Sequence, residues 1–290
     1  MSKPERGADG GKTIEIKPQK LCKKILMDKY EGAVFKYYNA DRKNFFDDLM
    51  VRFTQTVDLN DPLECLPKFE YFCDNDVKTH RAIEVFERNY PNCNSPSKRK
   101  QFIRTFLREF NWKKEIKKTY KKHLDILGIF SLTDSQFNEH LWTNYARDGF
   151  CIEFDHQSDF FSMRSGDVSG TGELYRVSYS DEPIIFDAKK FFQQEAGNYI
   201  QLKVFYQKTN KWYPESEVRI IRFRCLADKT SNNGQVSLFQ IPDDAIRAVY
   251  FSPRAHDTLI NEIQNKMKQT IPNVPIYKIT DIASKNFSEI

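Results

Sequence analysis

The hydrophobic and polar positions from Trp212 to Ile221 alternate at the period of a strand. Glu215, Glu217 and Arg219 point one way; Ser216, Val218 and Ile220 point the other. The Val and Ile face suits a core. The opposite face holds two acids and a base in close succession, just after the aromatic pair Trp212 and Tyr213. Neighbouring carboxylates oppose each other's ionisation, so such a pair is either solvated or held in a cleft that uses the opposition. The plain alternative is a surface strand whose glutamates are neutralised by Arg219.

The same alternation predicts strands at Ala33 to Tyr38, Val51 to Val57, Ile129 to Thr133, Phe150 to Phe154, Tyr175 to Tyr179, Val236 to Ile241, Ala248 to Phe251 and Ile276 to Ile279. Helical spacing predicts helices at Leu21 to Tyr30, Asp41 to Met50 with an Asp cap, Asp76 to Tyr90, Ala188 to Lys208 and His256 to Thr270. One long helix is expected from Ser97 to about Leu127, where Phe102, Ile103, Phe106, Phe110, Ile116 and Tyr120 recur at threes and fours. Another is expected from Asp134 or Ser135 to about Ala146, ended by a left-handed turn at Gly149. Residues 1–20 lack an apolar period and are expected to be a flexible tail. The picture is a single mixed α+β domain over residues 21–290, with a helical insertion at about 70–127 and strands on both sides of it.

Composition supports a packed chain. Of 290 residues, 40% are hydrophobic and 14% aromatic, including 24 Phe and 14 Tyr, so disorder is not the default. Apolar runs are too short for a membrane span and the N-terminus has no signal pattern; a soluble, cytoplasmic protein is the expectation. The six cysteines form no C-x-x-C pair and are expected to be free thiols, with Cys151 and Cys225 filling core. The net charge of +5 is uneven: Lys98 to Lys122 carries eleven Lys or Arg against two Glu. That helix is a candidate nucleic-acid surface, with Trp112 and Tyr120 available for stacking, or else a solvated lysine face.

Four further groups could carry chemistry. Lys36, between Phe35 and Tyr37, is either an exposed edge charge or a ligand-pairing cation. Asn60-Asp61-Pro62 is a turn by its own chemistry. Ser131 and Thr133 share one face of their strand and can grip a ligand or pair across a sheet. Trp142 and Tyr145 share a helix face, as core or as a stacking platform. No Gly-rich phosphate loop opens a helix, and the histidines lack zinc spacing. A metal-dependent nuclease stays open, since Glu215, Glu217 and Asp61 could converge.

Several short motifs occur in the order of a widespread family of uncharacterised bacterial domains, some of them found in phage-defence neighbourhoods. They are Phe35-Lys36-Tyr37, Asn60-Asp61-Pro62-Leu63-Glu64, Ser131, Trp142-x-x-Tyr145-Ala146, Gly149-Phe150-Cys151-Ile152-x-Phe154, Lys211-Trp212, Glu215-x-Glu217-x-Arg219, Ile241-Pro242 and Ile246-x-x-Val249. The chain resembles that family from about Val34 to Arg254. It more loosely resembles the ADP-ribosyltransferase superfamily, whose arginine-directed branch has a basic residue on an early strand, a Ser-x-Ser or Ser-x-Thr strand and a late Glu-x-Glu. Lys36, Ser131-x-Thr133 and Glu215-x-Glu217 fall in that order, although Lys36 stands where Arg or His is usual.

The second resemblance implies a split mixed sheet and an NAD-dependent ADP-ribosyltransferase, a toxin or phage-defence effector acting on nucleic acid or protein, with an antitoxin or chaperone as a candidate partner. It further implies that Glu217 stabilises the ribose cation, that Glu215 activates the acceptor, that Ser131 holds Glu217 or the ribose, that Lys36 pairs with the pyrophosphate, and that Tyr37 and Thr133 are among the NAD-binding residues. Trp142 or Tyr145 would stack on nicotinamide. The alternatives are a non-catalytic nucleic-acid-binding or sensing module, and the metal-dependent nuclease.

Overall fold

The computed structural model describes residues 27–61, 63–69, 75–186 and 202–290. The chain is mixed α+β, built on one large, mostly antiparallel sheet with 11 strands among the described residues. In chain order these are β1 (Val34–Tyr38), β2 (Met50–Gln55), β3 (Leu127–Thr133), β4 (Phe150–Phe154), β5 (Leu174–Arg176), β6 (Glu217–Phe223), β7 (Lys229–Ser231), β8 (Val236–Gln240), β9 (Ile246–Phe251), β10 (Ile276–Asp281) and β11 (Asn286–Glu289). Their order across the sheet is β7-β8-β2-β3-β1-β4-β9-β10-β11, with β6 laid along β3 and β5 along β6. Only β9 and β10 run parallel among the described pairs of this sheet.

The sheet forks at β3. One edge of β3 pairs with β6 over its whole length, from Leu127 opposite Phe223 to Thr133 opposite Glu217. The other edge is divided. β2 takes the start, with Thr54 opposite Ile129 and Gln55 opposite Gly128. β1 takes the end, with Phe35 opposite Thr133. Ser131 lies between them and meets neither strand. Its carbonyl accepts instead from Lys36 Nζ at 2.7 Å. A buried carbonyl must be satisfied somewhere, and a long cationic side chain does here what a ladder bond does elsewhere.

Both faces of the sheet are covered. Val218 and Ile220 of β6 enter a core with Phe46, Phe53, Phe130, Phe150 and Phe154. The helix α4 (Asp257–Thr270) closes that core through Leu259, Ile260, Ile263 and Met267. On the opposite face Ile129 and Ile221 pack with Tyr120, Phe205 and Tyr206, while Phe35 and Tyr37 pack with Leu141, Trp142 and Tyr250. β6 is therefore central, and the surface-strand alternative for Glu217 to Ile221 does not hold. The strand also begins at Glu217: Ser216 has φ 46°, ending a 3-10 turn that contains Glu215.

Three helices, α1 (Asn75–Asn89), α2 (Pro96–Glu109) and α3 (Trp112–Ile126), lie in the chain between β2 and β3. The single helix expected from Ser97 to Leu127 is in fact two. Phe110 turns extended, and the Asn111 side chain accepts from Lys114 N–H at 3.0 Å, capping the second helix. The aromatic spacing runs through the break because Phe110 stacks on Phe106 and Trp112 meets both rings edge-on across it.

Other expectations shift in detail. Asp41 to Met50 is a 3-10 turn (Ala40–Asn44) and one short helical turn (Phe45–Asp48), with Leu49 left-handed and Met50 already in β2. The helix expected before β4 is a short Glu139–Leu141 turn continued by a π turn, Trp142–Ala146; its cap is Asn138, accepting from Leu141 N–H at 3.1 Å. Of the helix expected at Ala188 to Lys208, residues 188–201 lie outside the described residues, Leu202–Tyr206 is a 3-10 turn, and Gln207–Lys208 is a short strand. The helix expected at Leu21 to Tyr30 lies outside them up to residue 26, and Met27 to Tyr30 is not helical. Residues 1–20, the expected tail, also lie outside. Cys151 fills core as expected, whereas Cys225 is exposed. Among the described residues no helix is long and apolar enough to cross a membrane.

The left-handed residue before β4 is Arg147, with φ 56°, not Gly149. Gly149 is required for closeness: a Cβ there would overlap the Tyr38 carbonyl and come within 2.7 Å of the Asn39 Cα. Gly149→Ala is expected to destabilise the fold by at least ~2 kcal/mol, because rigid backbone must move. Denaturant unfolding of the variant beside the parent chain measures it.

Candidate functional site

The fork opens a cleft of about 210 Å³. β1 contributes Lys36 and Tyr37, β3 contributes Ser131 and Thr133, and the chain leading into β6 brings Glu215, Glu217 and Arg219. Asn60 and Glu64 close one side, Tyr145 another, and Lys208 the floor. Register explains part of this convergence. Arg219 stands opposite Ser131 and Glu217 opposite Thr133, so these four side chains share one sheet face beside the fork.

At the centre is a buried ionic cluster. Glu217 Oε1 accepts from Arg219 Nε at 2.6 Å and its Oε2 from Arg219 Nη2 at 3.0 Å. Arg219 also binds Glu64 and the carbonyl of Phe205. Lys208 Nζ lies 2.6 Å from Glu215 Oε2, 2.9 Å from Glu217 Oε2 and 4.0 Å from Glu64 Oε2. Three carboxylates thus surround two cations, and all five side chains are buried. Burial would raise the Glu217 carboxyl, but Arg219 and Lys208 outweigh it and hold the group down to about 2, so it is ionised at neutral pH. Burial raises Glu64 despite Arg219 beside it. Burial would lower Lys208, but Glu217, Glu64 and Glu215 together keep it above the ordinary lysine range.

Glu215 is held from both ends. Its carbonyl accepts from Thr133 Oγ1 at 2.9 Å, and its Oε1 accepts from the Tyr145 hydroxyl at 2.5 Å. Burial and this bond raise the Tyr145 phenol, and the Asn60 side chain bonds the same hydroxyl. The backbone N–H of Glu217 donates to Tyr179 Oη at 2.8 Å. Glu215 and Glu217 thus share Lys208, while Tyr145 holds only the first and Arg219 only the second.

Lys36, Tyr37, Ser131, Thr133, Tyr145, Glu215 and Glu217 all line the cleft. Ser131 hydrogen-bonds the Glu217 carboxylate as expected, whereas the parts of Lys36, Tyr37 and Thr133 differ from expectation. Lys36 is committed to the Ser131 carbonyl, and Thr133 to the backbone of Glu215. Tyr37 Oη donates to Ser135 O at 2.9 Å and accepts from Asn138 N–H at 3.1 Å. Trp142 lies outside the cleft. It is 3% exposed, edge-on to Tyr37 at 4.9 Å, and its Nε1 donates to Gln136 O; it is core, not a stacking platform. Asp61 does not join the glutamates; it accepts from Trp212 Nε1 at 2.8 Å and from Leu63 N–H at 3.0 Å. Among the described residues no group of three His, Cys, Asp or Glu is arranged to hold a metal ion.

Lys208 and Glu64 complete the cluster and were not singled out as chemistry in the sequence. Glu64 was visible only as the end of the Asn60 to Glu64 motif. Lys208 had no local signal; it sits between the three acids, 4.8 Å from the centre of the Trp212 ring, and the neighbouring Lys211 covers the same ring at 5.0 Å.

Burial pushes the Lys36 ammonium from 10.5 down to about 8, against the pull of Glu217. Between these two values the folded chain holds fewer protons than the unfolded chain, so Lys36 makes stability rise with pH across that window. Lys36→Met should lose that rise. The parent's unfolding free energy should rise relative to that of Lys36→Met between pH 8 and 10.5; parallel curves would contradict the lowered Lys36 ammonium.

No curated protein and no solved structure matches the chain. A DUF2971 domain, described as a protein of unknown function, is found at residues 141–220, the stretch that supplies Tyr145, Lys208, Trp212, Glu215, Glu217 and Arg219 to the site and its wall.

Proposed function

We propose that the cleft is the nicotinamide-ribose site of an NAD-dependent ADP-ribosyltransferase, and that the fork is the split of an ADP-ribosyltransferase-like sheet. The observation that carries this reading is the convergence of Lys36, Ser131, Tyr145 and Glu217, from four separate segments, on one cleft at a break in the sheet. The size also fits. The cleft is below the ~300–1,000 Å³ of a typical ligand pocket, so it takes one end of a dinucleotide. A second pocket of about 460 Å³, sharing Asn60 and Tyr145 with the cleft, leaves room for the rest.

NAD supplies a ribose–nicotinamide bond whose rupture leaves positive character on the sugar, as in glycoside hydrolysis. Glu217 is ionised and fixed by Arg219 and Lys208, so its charge is already oriented toward that sugar without reorganisation. Glu215, held by Tyr145 and Thr133, takes the proton of the acceptor. Lys36 bonds the Ser131 carbonyl at the fork. The setting we propose is a toxin or antiviral defence effector in the cytoplasm, held in check by an antitoxin or chaperone.

Incubating the full chain with adenylate-labelled NAD and a lysate, with and without chelator, tests this. Glu217→Gln should lower transfer by at least about a hundredfold. Because Glu217 is buried against two cations, it should also cost ~3–5 kcal/mol of stability, so activity is compared per folded molecule. Glu215→Ala should lose transfer and keep part of NAD hydrolysis. Unlabelled products with chelator-sensitive cleavage of nucleic acid would replace the transferase with the nuclease.

The acceptor we favour is a nucleic acid, and α3 is the reason. Lys113, Lys114, Lys117, Lys118, Lys121 and Lys122 are all exposed on it, while Ile116, Tyr120 and His123 are buried beneath. Tyr120 is not available for stacking; its hydroxyl donates to Cys65 O at 2.6 Å. The same ridge would serve the non-catalytic binding module. Affinity for nucleic acid should fall steeply with salt, and Lys117→Glu with Lys121→Glu should flatten the log–log slope by about 2. A salt-independent affinity measured by fluorescence anisotropy would remove the ridge from either role.

A further inference from the structure

The second pocket, beside the mouth of the cleft, is lined by Asn39, Asp41, Asn60, Asn144, Arg147 and Asp148, together with Tyr145. Its wall is unusual at Arg147. This residue has φ 56° and ψ −100°, a conformation that costs an L side chain about 1–3 kcal/mol and costs glycine little. The backbone is pinned there from both sides. Its N–H donates to Trp142 O at 2.7 Å and its carbonyl accepts from Ser252 Oγ at 2.6 Å. The side chain is exposed and, among the described residues, makes no ion pair or hydrogen bond. A strained position thus presents a free guanidinium to a polar pocket.

Lys36 is directed to the Ser131 carbonyl inside the fork and does not line this pocket, so the pocket's own cation is Arg147. A guanidinium is well suited to the task, since its planar fork binds phosphate oxygens in pairs. The two carboxylates of the same pocket, Asp41 and Asp148, would repel phosphate but accept from ribose hydroxyls. The carboxamides of Asn39 and Asn60 add donors and acceptors for a sugar or base. Tyr145, bonded to Glu215 and to Asn60, forms the shared wall between pocket and cleft.

We propose that this pocket binds the phosphate–ribose portion of a nucleotide, with Arg147 as its phosphate-binding residue. The assignment rests on the reading of the cleft as a nicotinamide-ribose site, and it places the remainder of the same molecule. Arg147 offsets the repulsion of Asp41 and Asp148 toward phosphate oxygens, and its unengaged guanidinium is available at the pocket wall.

Calorimetric titration of the full chain with ADP-ribose, and separately with nicotinamide riboside, tests it. Arg147→Gly relieves the backbone, so its melting temperature should equal or exceed that of the parent. Its affinity for ADP-ribose should fall by about tenfold or more, while nicotinamide riboside, which lacks phosphate, should bind both proteins alike. ADP-ribose that binds Arg147→Gly as tightly as the parent, or that fails to bind the parent, would overturn the assignment. Label transfer from NAD, run in parallel, keeps the two ideas apart. Arg147-dependent ADP-ribose binding without transfer sustains the nucleotide pocket and removes the transferase. Transfer with ADP-ribose affinity indifferent to Arg147 does the reverse.

Discussion

Arg219 is a guanidinium buried in the middle of a sheet, and the site is arranged to keep it charged. Glu217 accepts from Nε and Nη2, Glu64 shares Nη2, and the Phe205 carbonyl accepts from Nη1. Once Arg219 and Glu217 are there, a second acid, Glu215 in the 3-10 turn just before the strand, needs another cation, and Lys208 supplies it. Desolvating so many charges costs several kcal/mol per ion, and a hydrophobic cluster of equal volume would often stabilise a fold as well or better. Stability is thus a weak reason for such a cluster. A carboxylate held ionised and oriented at the edge of a cleft is a stronger one.

The fork gives that cluster its opening. A strand fully paired on both edges would bury Ser131 and leave no cleft. Because β1 and β2 each take only one end of β3, a gap remains at its middle, and Lys36 crosses it to satisfy the Ser131 carbonyl. Glu217 and Arg219 stand beside that gap through their pairing with Thr133 and Ser131. The main chain thus creates the space, and the ionic cluster decides its charge. Tyr145, at the end of the π turn, closes the side that leads to the second pocket.

Much of the fold was legible because β strands buried on both faces carry apolar residues at high density. β1, β3, β4, β6, β8 and β9 appear in the sequence within a few residues of their observed limits. The breaks were less legible. The helical period of Phe102 to Tyr120 runs through Phe110 and Asn111, since Phe110 and Trp112 pack edge-on across the break, and only the Asn111 cap marks it. Gly149 drew the left-handed turn by its type, yet Arg147 adopts it, because Gly149 is needed where the chain passes against Tyr38 and Asn39.

For the site, residue type and order along the chain sufficed to bring out Glu217, Glu215, Ser131, Tyr145 and Lys36, all of which face one cleft. Their partners were another matter. Lys208 is an ordinary lysine locally, and it becomes the hub of three acids only when distant segments fold over β6. Trp142 and Tyr145 share a helical spacing, but the π turn sends the first into the core and the second to the cleft. Periodicity along one chain reports which face a residue takes. Which charges meet, and which carbonyl a lysine must satisfy, depends on strand pairing between segments far apart in sequence, where no local pattern extends.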